Sequence, residues 1–511
     1  MGSVGRRTFI QRGIATGALA SLGDLGFLSK LRPLAADELI ETNVVQMRPE
    51  IEPLVRLLET TPRDRVLEVF ADRIQRGTSY QEILATLLLA GVRNVQPRPS
   101  VGFKFHAVLV VNSAHLASLA SPDTDRWLPI FWALDYFKSS QARDIREGNW
   151  TMPTVDAKAM PSPEKALADF QTSMDHWDEA AADASVATLA RNVGANELFE
   201  QFARYGIRDY RSIGHKAIFV ANSWRTLQCI GWQHSEPVLR SLAYALLNHS
   251  GEPNPHQSDL KADRPYRENL ERQKRIKSEW LTGRPSHQAS LDLLSTLREG
   301  TPQDASEQVV KMINEGVAVQ SIYDAIFAAA GELLMRQPGI VALHSMTTTN
   351  AMHYAFQTSS NKITRQLTLL QNAAFLPMFR DSMKDRGAVG STRIDQLAAA
   401  EIPADPSECM EAIFAQISTD RNTAAQQLFG YLEQGNSATD VIQGARRLIF
   451  LKGHDSHDYK FSSAALEDYF HISPNWRNRY LAASVFNLKG TGDQDNQLTN
   501  RTRDALKQVT S

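Results

Sequence analysis

Cysteine is close to missing from this chain: Cys229 and Cys409 are the only two in 511 residues. That excludes a disulfide framework and a thiolate cluster, so stability must come from packing. Charge of one sign is missing as well. A net charge of −2, with no basic stripe interleaved with aromatics, leaves no field to hold nucleic acid. Long apolar runs are also lacking. A membrane-spanning helix needs about 20 consecutive apolar residues, and no stretch reaches that length, so no stable membrane span is expected. There is no Cys-x-x-Cys-His, no Gly-x-Gly-x-x-Gly after a strand, no phosphate loop and no Gly-x-Ser-x-Gly elbow, which sets aside covalent haem, Rossmann cofactors and elbow hydrolases.

What the chain does have is helical period. With 42% hydrophobic and 22% charged residues it can bury a large core. Apolar residues recur at i, i+3, i+4 and i+7, as in Val66, Val69, Phe70 and Ile74, or Val309, Val310 and Ile313. Thr61-Pro62, Ser162-Pro163 and Thr301-Pro302 place a proline just inside a helix start, and Gly77, Gly316 and Gly435 stand where C-terminal caps belong. Strand-like alternation is nearly absent. The expectation is an all-α fold, a single large helical domain of some twenty helices over residues 37–490, with a polar tail at 491–511 that frays. Residues 147–163 and the polar stretch from His249 to about Arg267 interrupt the pattern as a connection and a long loop, and long loops often serve as lids or binding segments.

The helices fall into about four degenerate repeats, near 52–150, 179–260, 290–385 and 408–490, spaced by roughly 110 to 120 residues, which reads as an old duplication inside one domain. Each repeat runs through apolar helices into a Pro or Gly break and then a histidine near the mouth of another helix. The first holds Phe105-His106 with Asn112 and His115; the third, Leu343-His344 with Asn350 and His353. The second and fourth are looser, with Gly214-His215 and Asn222, then Gly453-His454-Asp-Ser-His457 and Lys460.

Four ring nitrogens, those of His106, His215, His344 and His457, can therefore meet in a histidine-lined interior. A helix N-terminus disfavours imidazolium and keeps the ring in the neutral form a metal needs. These four are the candidate catalytic residues and the candidate ligands of one redox metal, iron or copper. Asn112, Asn222 and Asn350, about two turns on, and Lys460, three residues past His457, are the candidate substrate-binding groups. His115 and His353 fall on the opposite side of their helices and belong to another layer. The aromatic set Trp127, Phe131, Trp132, Tyr136 and Phe137 reads as core. The plain alternative for each histidine is a hydrogen-bonded core residue, and for the whole chain a non-enzymatic helical-repeat protein that binds a ligand or partner.

At the other end, Arg6-Arg7-Thr8-Phe9-Ile10 precedes a short apolar stretch, Ile14 to Phe27, and Ala35-Ala36-Asp37. This resembles a twin-arginine signal peptide over 1–36. The resemblance implies passage through the twin-arginine export machinery and a periplasmic or extracellular location, by a route that carries folded and often cofactor-bearing proteins.

The segments Phe105–Asn112, Gly214–Ile218, Ala342–Met352 and His457–Phe461, with Tyr469 and Tyr480, resemble the questin oxidase-like family, with coverage from about Ile51 to Leu488. The resemblance implies a helical oxidoreductase that opens an aromatic, quinone-like small molecule in a Baeyer–Villiger-type reaction with oxygen. Reduced nicotinamide enters as cosubstrate by this resemblance only. On this sequence His106, His215, His344 and His457 would line the site.

Overall fold

Helices start where the side chains supply the missing acceptors. Ser79 with Glu82, Thr301 with Asp304 and Asp455 with Asp458 each close a reciprocal capping box. Asn361, Asp405 and Asp420 cap with the side chain alone. The computed structural model describes residues 43–97, 104–247, 252–403 and 405–510. The twin-arginine segment lies outside the described residues. Among them there are 22 helices and no strands, so the fold is all-α.

The first run is α1 (Glu52–Thr60), α2 (Val66–Gln75), α3 (Tyr80–Asn94), α4 (His106–Leu119) and α5 (Leu128–Glu147). Next come α6 (Pro163–His176), α7 (Glu179–Asn192), α8 (Ala195–Gly206), α9 (His215–Ile230) and α10 (Ser235–Leu246). They are followed by α11 (Arg264–Arg272), α12 (His287–Glu299), α13 (Pro302–Asn314), α14 (Val319–Arg336), α15 (Ile340–Thr358) and α16 (Lys362–Lys384). The last are α17 (Pro406–Ile417), α18 (Arg421–Glu433), α19 (Ala438–Lys452), α20 (Ser456–Asp468), α21 (Pro474–Ser484) and α22 (Gln497–Thr510).

Four of these helices form a closed ring: α4 packs on α9, α9 on α15, α15 on α20, and α20 back on α4. Each is preceded in the chain by a helix that packs against it, α3, α8, α14 and α19 in turn. Composition explains why these four lie inside. A helix with no polar stripe has no face to offer water. Every residue from His106 to Ala114, from His215 to Trp224 and from Val341 to His353 is buried.

The connection and the long loop stand where the sequence puts them, while the tail expected to fray is helical. The connection after α5 is pinned by backbone bonds, with Met152 N–H donating to the Arg93 carbonyl and Val45 N–H to that of Met152. The described part of the long polar loop is held down by Arg211, whose guanidinium donates to the Pro253 carbonyl, Ser258 and Asp263. The polar C-terminal stretch is helical as α22 and packs on α2, where Arg501 pairs with Glu68 at 2.9 Å; Arg503 pairs with Asp125 at 3.1 Å. Long-range ion pairs of this kind carry no local sequence signal.

Candidate metal centre

His106 and His215 are the first residues of α4 and α9, and His457 is the second of α20. His344 stands one turn further in, as the fifth residue of α15, because that helix begins right after Gly339. The four rings form a circuit. Centroid separations are 5.4 Å for His106–His215, 4.3 Å for His215–His344, 5.3 Å for His344–His457 and 4.6 Å for His457–His106.

Three of them aim nitrogens at one point. His215 Nε2 lies 3.3 Å from His106 Nε2 and 3.0 Å from His344 Nε2, and the three ligand atoms are all within 4.8 Å of one another. The tautomers follow from the outer nitrogens. His215 Nδ1 is 2.7 Å from the Ser212 carbonyl and His344 Nδ1 is 2.6 Å from that of Ile340. A carbonyl only accepts, so both Nδ1 atoms carry hydrogen and both Nε2 lone pairs face each other. A cation between the nitrogens would relieve the repulsion of those lone pairs. A proton is a poor one here. Burial, then the Lys460 amine, pulls His215 down to about 3. Burial also holds His106 and His344 well below the usual imidazole range, helped by Lys460 for His106 and by His215 and Lys460 for His344. A metal ion fits. Ligands about 2.0–2.1 Å from a tetrahedral metal stand about 3.4 Å apart, and backbone carbonyls at the far nitrogens are the usual outer shell of such a site. All-imidazole donors suit iron, copper, nickel and zinc alike.

His457 differs from the other three. It is partly exposed, and its Nδ1 is 3.5 Å from Asp455 Oδ1. Burial works to raise Asp455, but the His457 ring and two backbone N–H groups outweigh it and bring the carboxyl to about 2. His457 thus stands as an Asp-held imidazole beside the triad.

Lys460, one turn on along the same face of α20, is buried, and its amine has no hydrogen-bond partner. Burial lowers it to about 7, against a smaller pull from Asp455 in the other direction. Two of the three asparagines are committed elsewhere. Asn222 donates to the Leu109 carbonyl, tying α9 to α4, and Asn350 donates to Glu467 and Asp468 at the end of α20. Asn112 is buried on α4. His115 meets Tyr80 and Cys229, while His353 meets Tyr323, Phe327 and His471, both away from the four rings.

The entries to the ring helices are rigid. Before His106, Lys104 is buried and paired with Asp144 at 2.7 Å. On either side of His215, Arg211 pairs with Asp263 and Lys216 with Asp209 at 2.6 Å. Between them the backbone turns through Ile213 at φ 45° and Gly214 at φ 80°. A β-branched residue at positive φ is costly and persists only where its surroundings impose it. At Gly214 a side chain is excluded twice, by φ and because a Cβ there overlaps Thr348 of α15. Gly214→Ala is expected to cost roughly 2–5 kcal/mol, from left-handed backbone strain plus overpacking. Denaturant unfolding measures it, and Thr348→Ala on that background should recover part of the loss.

His454, just before α20, also borders an opening. A cavity of about 530 Å³ is lined by Trp132, Tyr136, Asp135, Arg63 and His454 among others. Tyr136 donates to Ser456 next to His457, and Trp132 stacks on both Tyr136 and Tyr459, at 4.9 and 4.2 Å. The aromatic set read as core is therefore partly cavity wall. Asp455 and the Ser212 and Ile340 carbonyls were not singled out from sequence; only the Asp455-x-x-Asp458 cap has a readable local pattern. No family model, curated protein or solved structure matches this chain.

Proposed function

We propose that the protein is an exported oxidoreductase in which His106, His215 and His344 hold one redox metal, iron or copper, and an aromatic or quinone-like small molecule is oxidised by oxygen. The observation that carries this reading is the convergence of three buried imidazole Nε2 atoms, with the lone pairs of His215 and His344 facing each other. The metal would supply oxygen activation and carbonyl polarisation, chemistry that side chains lack. His215 and His344 are oriented by the Ser212 and Ile340 carbonyls. Lys460 would donate to a substrate oxygen, and His457, held by Asp455, would move a proton between the site and solvent. The stacked Trp132 and Tyr136 that line the cavity suit a flat aromatic ring.

In the overall reaction one oxygen atom enters the substrate and the other leaves as water. Reduced nicotinamide, carried over from the family resemblance, gives a hydride and solvent gives a proton. Export by the twin-arginine route accords with a metal inserted before translocation.

Metal analysis and an absorption spectrum of protein purified after native export test the reading. About one equivalent of iron or copper is expected, lost in His106→Ala. A colourless, metal-free protein whose alanine variants lose only stability overturns it and leaves a helical-repeat binding scaffold.

A further inference from the structure

The cavity of about 530 Å³ beside α5 has the size of a small-molecule site, which spans about 300–1,000 Å³, and none of the four clustered histidines lines it. Its formal charges cancel. Arg63 donates through Nε and Nη2 to both oxygens of the buried Asp135, at 2.9 and 2.6 Å, and among the described residues no other Lys, Arg, Asp or Glu lines the wall. An anionic ligand would meet no unpaired cation there, and a cationic ligand no unpaired carboxylate.

What the wall offers is hydrogen bonding without net charge. The Ser139 hydroxyl and the side-chain amides of Gln494 and Gln497 bond to no other described residue, and each of these groups both donates and accepts. The segment that carries the two glutamines is held in place. His454 Nε2 is 3.1 Å from the Gln494 carbonyl, and the Asn496 side chain donates to the Gly453 carbonyl and accepts from Leu498 N–H. Asp135 keeps acceptor capacity beyond the two bonds it takes from Arg63. The apolar share is small: Leu498, Tyr136 and the edge of Trp132, whose two faces are covered by Tyr136 and Tyr459. A ligand matched to this wall is uncharged, rich in hydroxyls, and flat and apolar at one end.

We infer that the cavity is a binding site for a neutral aryl glycoside, with the sugar hydroxyls on Ser139, Gln494, Gln497 and Asp135 and the aromatic ring against Tyr136 and the Trp132 edge. The inference rests on the reading of this cavity as the place of an aromatic substrate, and it narrows that substrate to a glycoside.

The test is calorimetric titration of the full-length, natively purified and then chelated protein with phenyl β-glucoside, phenol and phenyl β-glucuronide. The glucoside is expected to bind at least about tenfold more tightly than phenol, because several hydrogen bonds separate the two. It should also bind more tightly than the glucuronide, whose carboxylate meets Asp135 and no unpaired cation. Changing the exposed Gln494 and Gln497 together to alanine should weaken the glucoside by about three- to tenfold and leave phenol unchanged. A glucoside held no more tightly than phenol, a glucuronide held more tightly than the glucoside, or a double variant that binds the glucoside as wild type does overturns the inference. Metal content, assayed before chelation, separates this result from the reading of the histidine centre. A preference for the glucoside in protein that never held metal sinks the metal and spares the cavity; a full metal complement without that preference does the reverse.

Discussion

Replacing His215 by alanine is expected to remove the metal outright, from about one equivalent to less than about a tenth at equal free metal. His215 has the largest effect because it is the hub. Its Nε2 is the one within 3.3 Å of both other nitrogens. Removing an outer-shell partner alone costs about 10–100-fold in affinity, and a ligand at the centre of three should cost more. The same change should abolish the stability that metal lends the fold. A ligand at a thousand times its dissociation constant stabilises by about 4 kcal/mol, so wild-type protein should melt higher with metal than after chelation. His215→Ala should melt at one temperature in both states. Calorimetry with and without chelator, alongside metal analysis, reads this directly; a variant that keeps the wild-type metal content removes His215 from the ligand set.

Much of this arrangement is legible in residue patterns, and the rest is not, for physical reasons. The ring helices declare themselves by having no polar stripe: Val108 to Val111 on α4 and Ile218 to Ala221 on α9 can only be inside. Histidines at the mouths of such helices are therefore nameable before any coordinates. The exact mouth is less certain. Leu343-His344 follows a Pro-Gly break closely, yet α15 begins at Ile340 and puts His344 a turn in, where the Ile340 carbonyl fixes its tautomer. A glycine break marks where a helix can start without saying which residue after it will bond.

The electrostatic setting is not legible. Lys460 looks like Lys104, Lys138 and Lys216 along the chain; what separates them is whether an acceptor reaches the amine, Asp144 for Lys104, Asp209 for Lys216, and the Leu58 and Glu59 carbonyls for Lys138. Asn222 and Asn350 read as substrate amides, but tertiary packing hands them to Leu109 and to Glu467 and Asp468. Both outcomes depend on what lies across an interface.

The burial that readies these rings for a metal should also make the fold acid-labile, and the sign can be worked out group by group. His215 and His353 have folded values of about 3 against 6.5 when unfolded, chiefly from burial, and burial also puts His106 and His344 well below 6.5. For each, the unfolded chain binds the proton first. Its stabilising contribution is complete above pH 6.5 and is lost as pH falls from there toward the folded value. For His215 the whole loss is about 5 kcal/mol, at 1.36 kcal/mol per unit. Asp468 works the other way. Burial raises its carboxyl well above 3.8, so the folded state holds that proton first and gains on acidification. Burial lowers His115, His234 and His471 in the same direction, so the losses outnumber the gain and stability falls on acidification by about 1.4 kcal/mol per pH unit for each histidine not offset. A domain with a total stability of about 5–15 kcal/mol then unfolds within a few pH units. In chelated protein, a fluorescence or circular dichroism titration downward from pH 8 should show cooperative unfolding between about pH 6 and 4. Lowered carboxyls such as Asp209 and Asp455 add their share only further down. His353→Phe, which removes one titrating ring away from the metal centre, should shift the midpoint to lower pH by reducing the slope. A chelated wild-type protein that stays folded below pH 3.5 would mean that these rings accept protons in place, and the lone-pair argument for a metal would fall with them.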